Sequence, residues 1–452
     1  MTRRSALRAG AVGAGLTGAA FLDAPPAAAA NRSATTAPTG AVFDVTDYGA
    51  VGDGATDDTR AIQAALDAAG AVAGSEVIFP PAPGGCYRVS GVKVPGGVGT
   101  MAGHSALYSA DAPQTATLTG SVLAPVDTAV TTLLTVGASG GGTPVPGNPH
   151  GLTVQGLGFL GTEPGGTAIA GLWGVTVLDT AAVTLDGCRD LYCGAPGFSG
   201  YPPGGDGAGG FARFLSSGTG NAFCVNGRLL FCCSYGAGNF LLADGQSAAL
   251  PGGGSTDGRI IGCQVNGHNR GAVFGPQHAG AGGWGVSQCH FSSAEGQCHI
   301  SYGPAGNPWT LRVEGCYLDL CAGPAVHCQG RGLQAVGNYI RSLANTSAID
   351  FDAALAVAGR DPAAVLVGNT LDLNGSTAAV CFAAFDGFTA ADFAANGGGE
   401  FRGNLVHNHG AAMPASWVAP YVGSDAVAIN VTAIDAASSA RLDLTQRPVL
   451  SD

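Results

Sequence analysis

The chain has 452 residues, 46% hydrophobic and 11% charged, enough apolar material for a large core and too much for a disordered protein. Its net charge of −12 includes a single lysine, Lys93, a balance that disfavours nucleic acid and anionic membranes as partners. Glycine reaches 76 residues without a period of three, which excludes collagen and favours a turn-rich repeat.

Residues 1–30 place Arg3-Arg4 before a short Gly-rich apolar stretch and then Ala28-Ala29-Ala30, the pattern of a twin-arginine export signal cleaved near Ala30. The apolar run from Ala9 to Leu22 is too short to span a bilayer. The expectation is a secreted, extracellular protein, with residues 31–41 as a flexible leader. Residues 42–110 read as an N-terminal cap with the first coils. In "FDVTDYGAVGDGATDDTRAIQAALDAAG", Asp57 or Asp58 is expected to cap a helix whose stripe is Ala61, Ile62, Ala65, Leu66 and Ala69. "SEVIFPPAPGGCYRVSG" then reads as a strand, a proline turn and a second strand. The glycines at 49, 52 and 54 have the wrong spacing for a dinucleotide loop, and Asp53 among them would repel pyrophosphate.

From about residue 150 a small signature recurs, Gly followed by Cys or Asn between short β-like stretches. It stands at Cys188, Cys263, Cys316, Asn338, Asn369 and Asn404, with Cys232 and Cys289 in the same register. Steps of 22 to 44 residues suit coils of three short strands with loops of variable length, over residues 111–410. Stacked coils would line up the cysteines as small buried core residues, and the asparagines as turn caps bonded to backbone. Residues 411–452 lose the corner and read as a closing segment.

The opening motif, "VTDYGAVGDGATDDTRAIQAALDAA" followed by "EVIFPPAPGGCYRVSGVKVPGGV", resembles the N-terminal segment of the pectate-lyase-like superfamily, in its rhamnogalacturonase-epimerase-like form related to family 28 glycoside hydrolases. The resemblance implies an all-β, right-handed parallel β-helix with an N-terminal capping helix and carbohydrate chemistry on a lateral face. A homotrimer is carried by family analogy alone. The chain lacks the N-T-D and R-I-K elements of polygalacturonases, and its D-D lies in the opening segment. It also lacks the acid cluster of calcium-dependent lyases, so no metal or other cofactor is expected.

Outward polar columns are then the place to look for chemistry. The third residue after each corner gives Asn266, Ser292, Asp319, Arg341, Asp372 and His407 on one solvent face, either a glycan site or a self-neutralising salt-bridge ladder. The next strand gives His299, His327 and Asp350 in successive coils, with Asp352 two residues on. The candidate catalytic set is Glu314, Asp319, Asp350 and Asp352 with His299 and His327, since an imidazole near an acid can act as a base and two carboxylates can divide acid and base roles. Arg341, Trp284 and Trp309 are candidate substrate-binding residues; the indoles, like Trp173, lie in glycine-rich connections where they could stack on sugars or anchor a loop. The expected function is cleavage of glycosidic bonds in an extracellular polysaccharide, by hydrolysis or by intramolecular transfer of the inulin fructotransferase-like kind. A polysaccharide lyase and a non-catalytic, tailspike-like glycan binder are the alternatives.

Overall fold

The computed structural model describes residues 40–108, 116–138, 147–194, 209–216, 223–245, 254–275, 281–303, 310–321, 323–329, 332–342, 348–352, 364–372, 383–386, 400–407, 418–419, 429–434 and 441–446. The expected export signal and all but the last two residues of the expected leader lie outside them.

The chain folds as a right-handed parallel β-helix of three sheets. The first sheet passes through Thr184–Asp186, Arg228–Leu230, Arg259–Ile261, Trp284–Ser287, Leu311–Glu314, Leu333–Val336 and Ala364–Val367. The second passes through Arg189–Leu191, Cys233–Tyr235, Tyr317–Cys321, Tyr339–Ser342 and Thr370–Asp372, and the third through Val326–Cys328, Ile349–Asp352 and Ala383–Asp386. Two long strands, Gln264–Phe274 and His290–Tyr302, run from the second sheet into the third and join them. Pairing is parallel throughout these sheets. Antiparallel pairing joins Ser105–Tyr108 to Thr117–Gly120, and Ile429–Ile434 to Arg441–Gln446.

Alternation along each short strand turns one side chain inward per two residues, so each sheet stacks an apolar row in the interior. On the first sheet that row is Leu185, Leu229, Ile260, Val286, Val313, Ala335 and Leu366, all buried. Aromatic rings stack from coil to coil, with Phe211 at 5.8 Å from Phe159 and 5.6 Å from Phe240, and Phe240 at 6.2 Å from Phe291. Each fully buried ring contributes about 2 to 3 kcal/mol by removal from water.

The corner between the first and second sheets holds a ladder of like side chains. The thiols of Cys188, Cys232, Cys263, Cys289 and Cys316 each point at a carbonyl of the preceding coil, at 3.3 to 3.7 Å. At Cys316 the ladder changes chemistry: its N–H donates to Asn338 Oδ1 at 2.9 Å. Asn338, Asn369 and Asn404 then repeat one pattern, each amide donating to a carbonyl of the coil before, at 3.0, 2.8 and 2.7 Å. Asn369 and Asn404 also accept from the backbone N–H of the preceding asparagine at 3.0 Å. The cysteines are thus core and ladder residues as expected, and burial holds the thiols of Cys188, Cys232 and Cys263 well above their ordinary pKa.

The cap helix spans Thr59–Gly70 and buries Ile62, Ala65, Leu66 and Ala69, the expected stripe. The expected side-chain cap differs. Asp58 occupies the cap position and its carbonyl accepts Ile62 N–H at 3.0 Å, but its side chain makes no bond into the helix. Its carboxylate turns back to accept Val51 N–H at 2.6 Å and Gly52 N–H at 3.0 Å, while Asp57 accepts Thr59 N–H at 3.0 Å. Asp53 accepts from Ala55 and Thr56. All three aspartates are spent on turn geometry.

Candidate functional site

The expected column after each corner exists in strict register. Asn266, Ser292, Asp319, Arg341, Asp372 and His407 are successive Cα partners on the second sheet. It is recessed rather than open to solvent, since Asp319 and Asp372 are each only 8% exposed. Arg341 lies between them, with Nη1 at 3.7 Å from Asp319 Oδ1. Tyr339 donates its hydroxyl to Asp372 Oδ2 at 2.6 Å, and Asn266 donates to the Tyr235 hydroxyl at 3.1 Å.

A second outward column, two residues earlier on each strand, completes this face. It runs Gln264, His290, Tyr317, Tyr339 and Thr370. The His290 and Tyr317 rings stack at 4.7 Å and 15°, and Tyr317 meets Tyr339 edge-on at 5.1 Å. Sequence reasoning missed His290, Tyr317 and Tyr339; the signal was available one position after each corner instead of three. Burial lowers the pKa of His290 against the opposing pull of Asp319. Burial, then the Asp319 charge, raises that of Tyr317; burial, then the Tyr339–Asp372 bond, pushes Tyr339 up to about 12. Both hydroxyls therefore remain protonated through neutral pH, and the imidazole is predominantly neutral there.

Unpartnered polar atoms gather on this face and in the interior behind it. Among the described residues eight buried side-chain atoms lack a hydrogen-bond partner, and five belong to Asn266, His268, His290, His299 and Asp319. A buried polar atom left unpaired costs about 1 to 3 kcal/mol, so such a cluster calls for a ligand, a solvent molecule or a catalytic role.

Several expected placements are corrected. His299 does not stack beneath His327; the Cα partner of His327 is Ser301. His299 is instead fully buried, its Nδ1 at 3.1 Å from His268 Nε2 and its ring against Phe291. Desolvation drives its pKa down to about 3, so it carries no charge at working pH. Trp284 is 2% exposed, edge-on to Phe214, with its indole N–H donated to Ser255 O at 2.8 Å, so it anchors the interior rather than offering a broad sugar platform. Glu314 stands on the first sheet beside Arg312, across the Gly315-Cys316 corner from Asp319, and the two carboxylates do not share a groove. His327 and Asp350 are Cα partners as expected, on the third sheet. Asp352 pairs with Asp386 there. Trp309 lies outside the described residues. No group of three or more His, Cys, Asp or Glu side chains among the described residues could hold a metal ion.

Residues 42–105 match the family model described as rhamnogalacturonase A/epimerase, pectate lyase-like. A mannuronan C5-epimerase of Azotobacter vinelandii, AlgE3, is 58% identical over 53 residues, a stretch that covers 12% of this chain and 3% of that protein. Among solved structures, the A-module of the AlgE6 epimerase of the same organism is similar at 16% identity and a TM-score of 0.47, over 87% of this chain and 99% of that one. The catalytic unit of a GH87 α-1,3-glucanase from Streptomyces thermodiastaticus is similar at 15% identity and a TM-score of 0.46, over 89% and 71%. The chain thus joins a pectate-lyase-like N-terminal segment to a right-handed parallel β-helix.

Proposed function

We propose that the protein is a secreted carbohydrate-active enzyme, exported by its twin-arginine signal, that cleaves glycosidic bonds of an extracellular polysaccharide on the second-sheet face. The observation that carries this reading is the Asp319, Arg341, Asp372 column in register beside His290, Tyr317 and Tyr339. Two strand steps of about 4.8 Å set the two aspartates about 10 Å apart. That is close to the spacing at which one carboxylic acid protonates a leaving oxygen while the other carboxylate activates water. Arg341 supplies donors for sugar hydroxyls, and the ring column supplies stacking surface. With one cation between two carboxylates the column is net negative, which suits a neutral or weakly acidic glycan better than a densely anionic one.

A second reading, elimination or epimerisation of a uronate, is favoured by the neutral His290 stacked on the protonated Tyr317, a base and an acid side by side, and by the likeness of the opening segment to a mannuronan C5-epimerase. His327 with Asp350 and Asp352 on the third sheet is the alternative location for either chemistry.

Incubation of the mature protein with neutral and uronate polysaccharides separates these readings. New reducing ends without absorbance support hydrolysis, and absorbance of unsaturated products supports elimination. Inverted C5 configuration without cleavage supports epimerisation. Retention on a glycan without any chemistry overturns the enzyme reading. Loss of turnover in Asp319→Asn with retention in His327→Ala supports the second sheet; the reverse moves the site to the third.

A further inference from the structure

The first sheet carries a second surface that this chemistry does not use. The residue before each ladder side chain is glycine at 187, 262, 315, 337, 368 and 403, with φ between 59° and 65°. Before Cys232 and Cys289 that place is taken by Phe231 and Gln288, at φ 52° and 54°, and of the two Phe231 is the aromatic one. A side chain in this left-handed conformation carries a steric cost that glycine does not. Burial does not offset that cost, because Phe231 is 61% exposed. Its ring lies over Gly262, where a Cβ would fall 2.7 Å from the Phe231 ring carbons, and its N–H donates to Ile261 O at 2.9 Å. A strained, exposed aromatic is a functional signal, since the same backbone would be cheaper with glycine.

Ile261 also lines a groove of about 500 Å³ on this sheet. The outward column there runs Arg228, Arg259, Gly285, Arg312 and Gln334, and the Arg259 side chain lies across Gly285, where a Cβ would fall 3.2 Å from its Cδ. Arg259 is pinned through Nη1 to the carbonyls of Gly258 and Gly283, at 2.7 and 2.8 Å. Arg312 is held by Gln334 Oε1 at 3.2 Å through Nε and Nη2, with Glu314 at 4.0 Å. Asp257 and Glu314 balance the two arginines in charge. Among the described residues the other large exposed hydrophobic side chains, Val42, Tyr48, Val51 and Tyr108, all belong to the first 110 residues, so within them Phe231 is not part of an extended apolar patch of the kind a protein partner needs.

We propose that Phe231 and this groove form a second saccharide-binding surface, on which the phenyl ring stacks on one pyranose of a chain while Arg259, Arg312 and Glu314 bond hydroxyls of the sugars that follow it along the groove. Charge-balanced polar walls beside a single exposed ring match the two-sided chemistry of a sugar. The ligand class rests on the polysaccharide reading; the surface itself does not.

The test is affinity electrophoresis of the mature protein in gels containing pullulan, mixed-linkage β-glucan, alginate or polygalacturonate. The wild type is expected to be retarded by at least one of them. Phe231→Gly is expected to weaken that retardation about three- to tenfold, with Phe231→Trp retaining it. Phe231→Gly should also melt no lower than the wild type, because glycine suits the backbone, so lost binding cannot be assigned to unfolding. Arg259→Ala should weaken retardation as well, while Asp319→Asn should leave it. Absence of retardation by all four polymers, or equal retardation of Phe231→Gly and wild type, overturns the proposal. Weakened retardation of Phe231→Gly by a polymer that the protein never alters chemically would sink the catalytic reading and leave this surface standing.

Discussion

Asp58 in the opening segment and Asp319 on the second-sheet face are both nearly buried, at 1% and 8% exposure. Asp58 gives its two oxygens to two backbone N–H groups and completes a turn. Asp319 leaves Oδ1 beyond hydrogen-bond length of its arginine, in a neighbourhood where four other residues also hold an unpaired atom. A carboxylate whose oxygens are saturated by backbone holds the fold, and replacing it should cost stability alone. One buried without saturation has bonding capacity to offer a substrate. The contrast explains why the most recognisable motif in the chain and its candidate chemistry are more than two hundred residues apart.

The largest effect that tests this contrast is on turnover. Asp319→Asn should reduce product formation about 10²- to 10⁴-fold in the polysaccharide assay, as expected for loss of an acid or base. Its midpoint of urea unfolding should stay close to wild type. Asp58→Ala should behave in the opposite way, costing about 3 kcal/mol in urea titration because two backbone donors lose a charged partner, with turnover per folded molecule unchanged. Equal loss of turnover in the two variants would erase the distinction.

Asp190 supplies a third case, a carboxyl in the interior with Ser234 donating to one oxygen at 2.7 Å and the other unpaired. Burial raises its pKa from 3.8 to about 7. The folded protein therefore keeps a proton that the unfolded chain releases. Stability from this group is complete below pH 4, falls by about 1.4 kcal/mol per unit as pH climbs toward 7, and is flat above. Asp190→Asn should remove that slope, measured as the pH dependence of the unfolding midpoint; an unchanged slope would show that other groups set it. The smallest effect belongs to the ladder. Cys263→Ala should cost about 1 kcal/mol, and Asn369→Ala more, since the asparagine makes stronger bonds on both sides.

Much of the fold was legible because its signals are local. The Gly-Cys and Gly-Asn corners fixed where each coil turns, and one residue count from them placed Asn266 through His407 in the register found. The site was only half legible. Asp319 and Arg341 followed from that count, but His290 and Tyr317 become a pair only when strands about 27 residues apart lie side by side. His299 and Trp284 were misplaced for different reasons, and for His299 the reason is that the outward column was carried past a bend. Gly267 sits at φ 63°, and in the coil after it the long strand His290–Tyr302 passes from one sheet to the other, so the parity of inward and outward residues resets between His290 and Ser301. Trp284 opens a first-sheet strand, pointing inward in register with Leu311, a position that composition of the preceding glycines does not reveal.

The corner ladder has one more consequence, for how such a molecule can change over time. Each asparagine or cysteine binds a carbonyl of the coil before it, and the asparagines are bound in turn by the backbone of that same coil, so at this corner the side-chain linkage from coil to coil, beside the backbone ladders of the sheets, passes through a single residue. The intervals between ladder residues range from 22 to 44, yet the residues on either side of the corner stay in register from coil to coil. Loop length and ladder geometry are thus decoupled. A whole coil could be duplicated, deleted or exchanged at the Gly-Cys or Gly-Asn boundary with one rung lost or gained. Inheritance can then act on the outward columns, coil by coil, without renegotiating the interior.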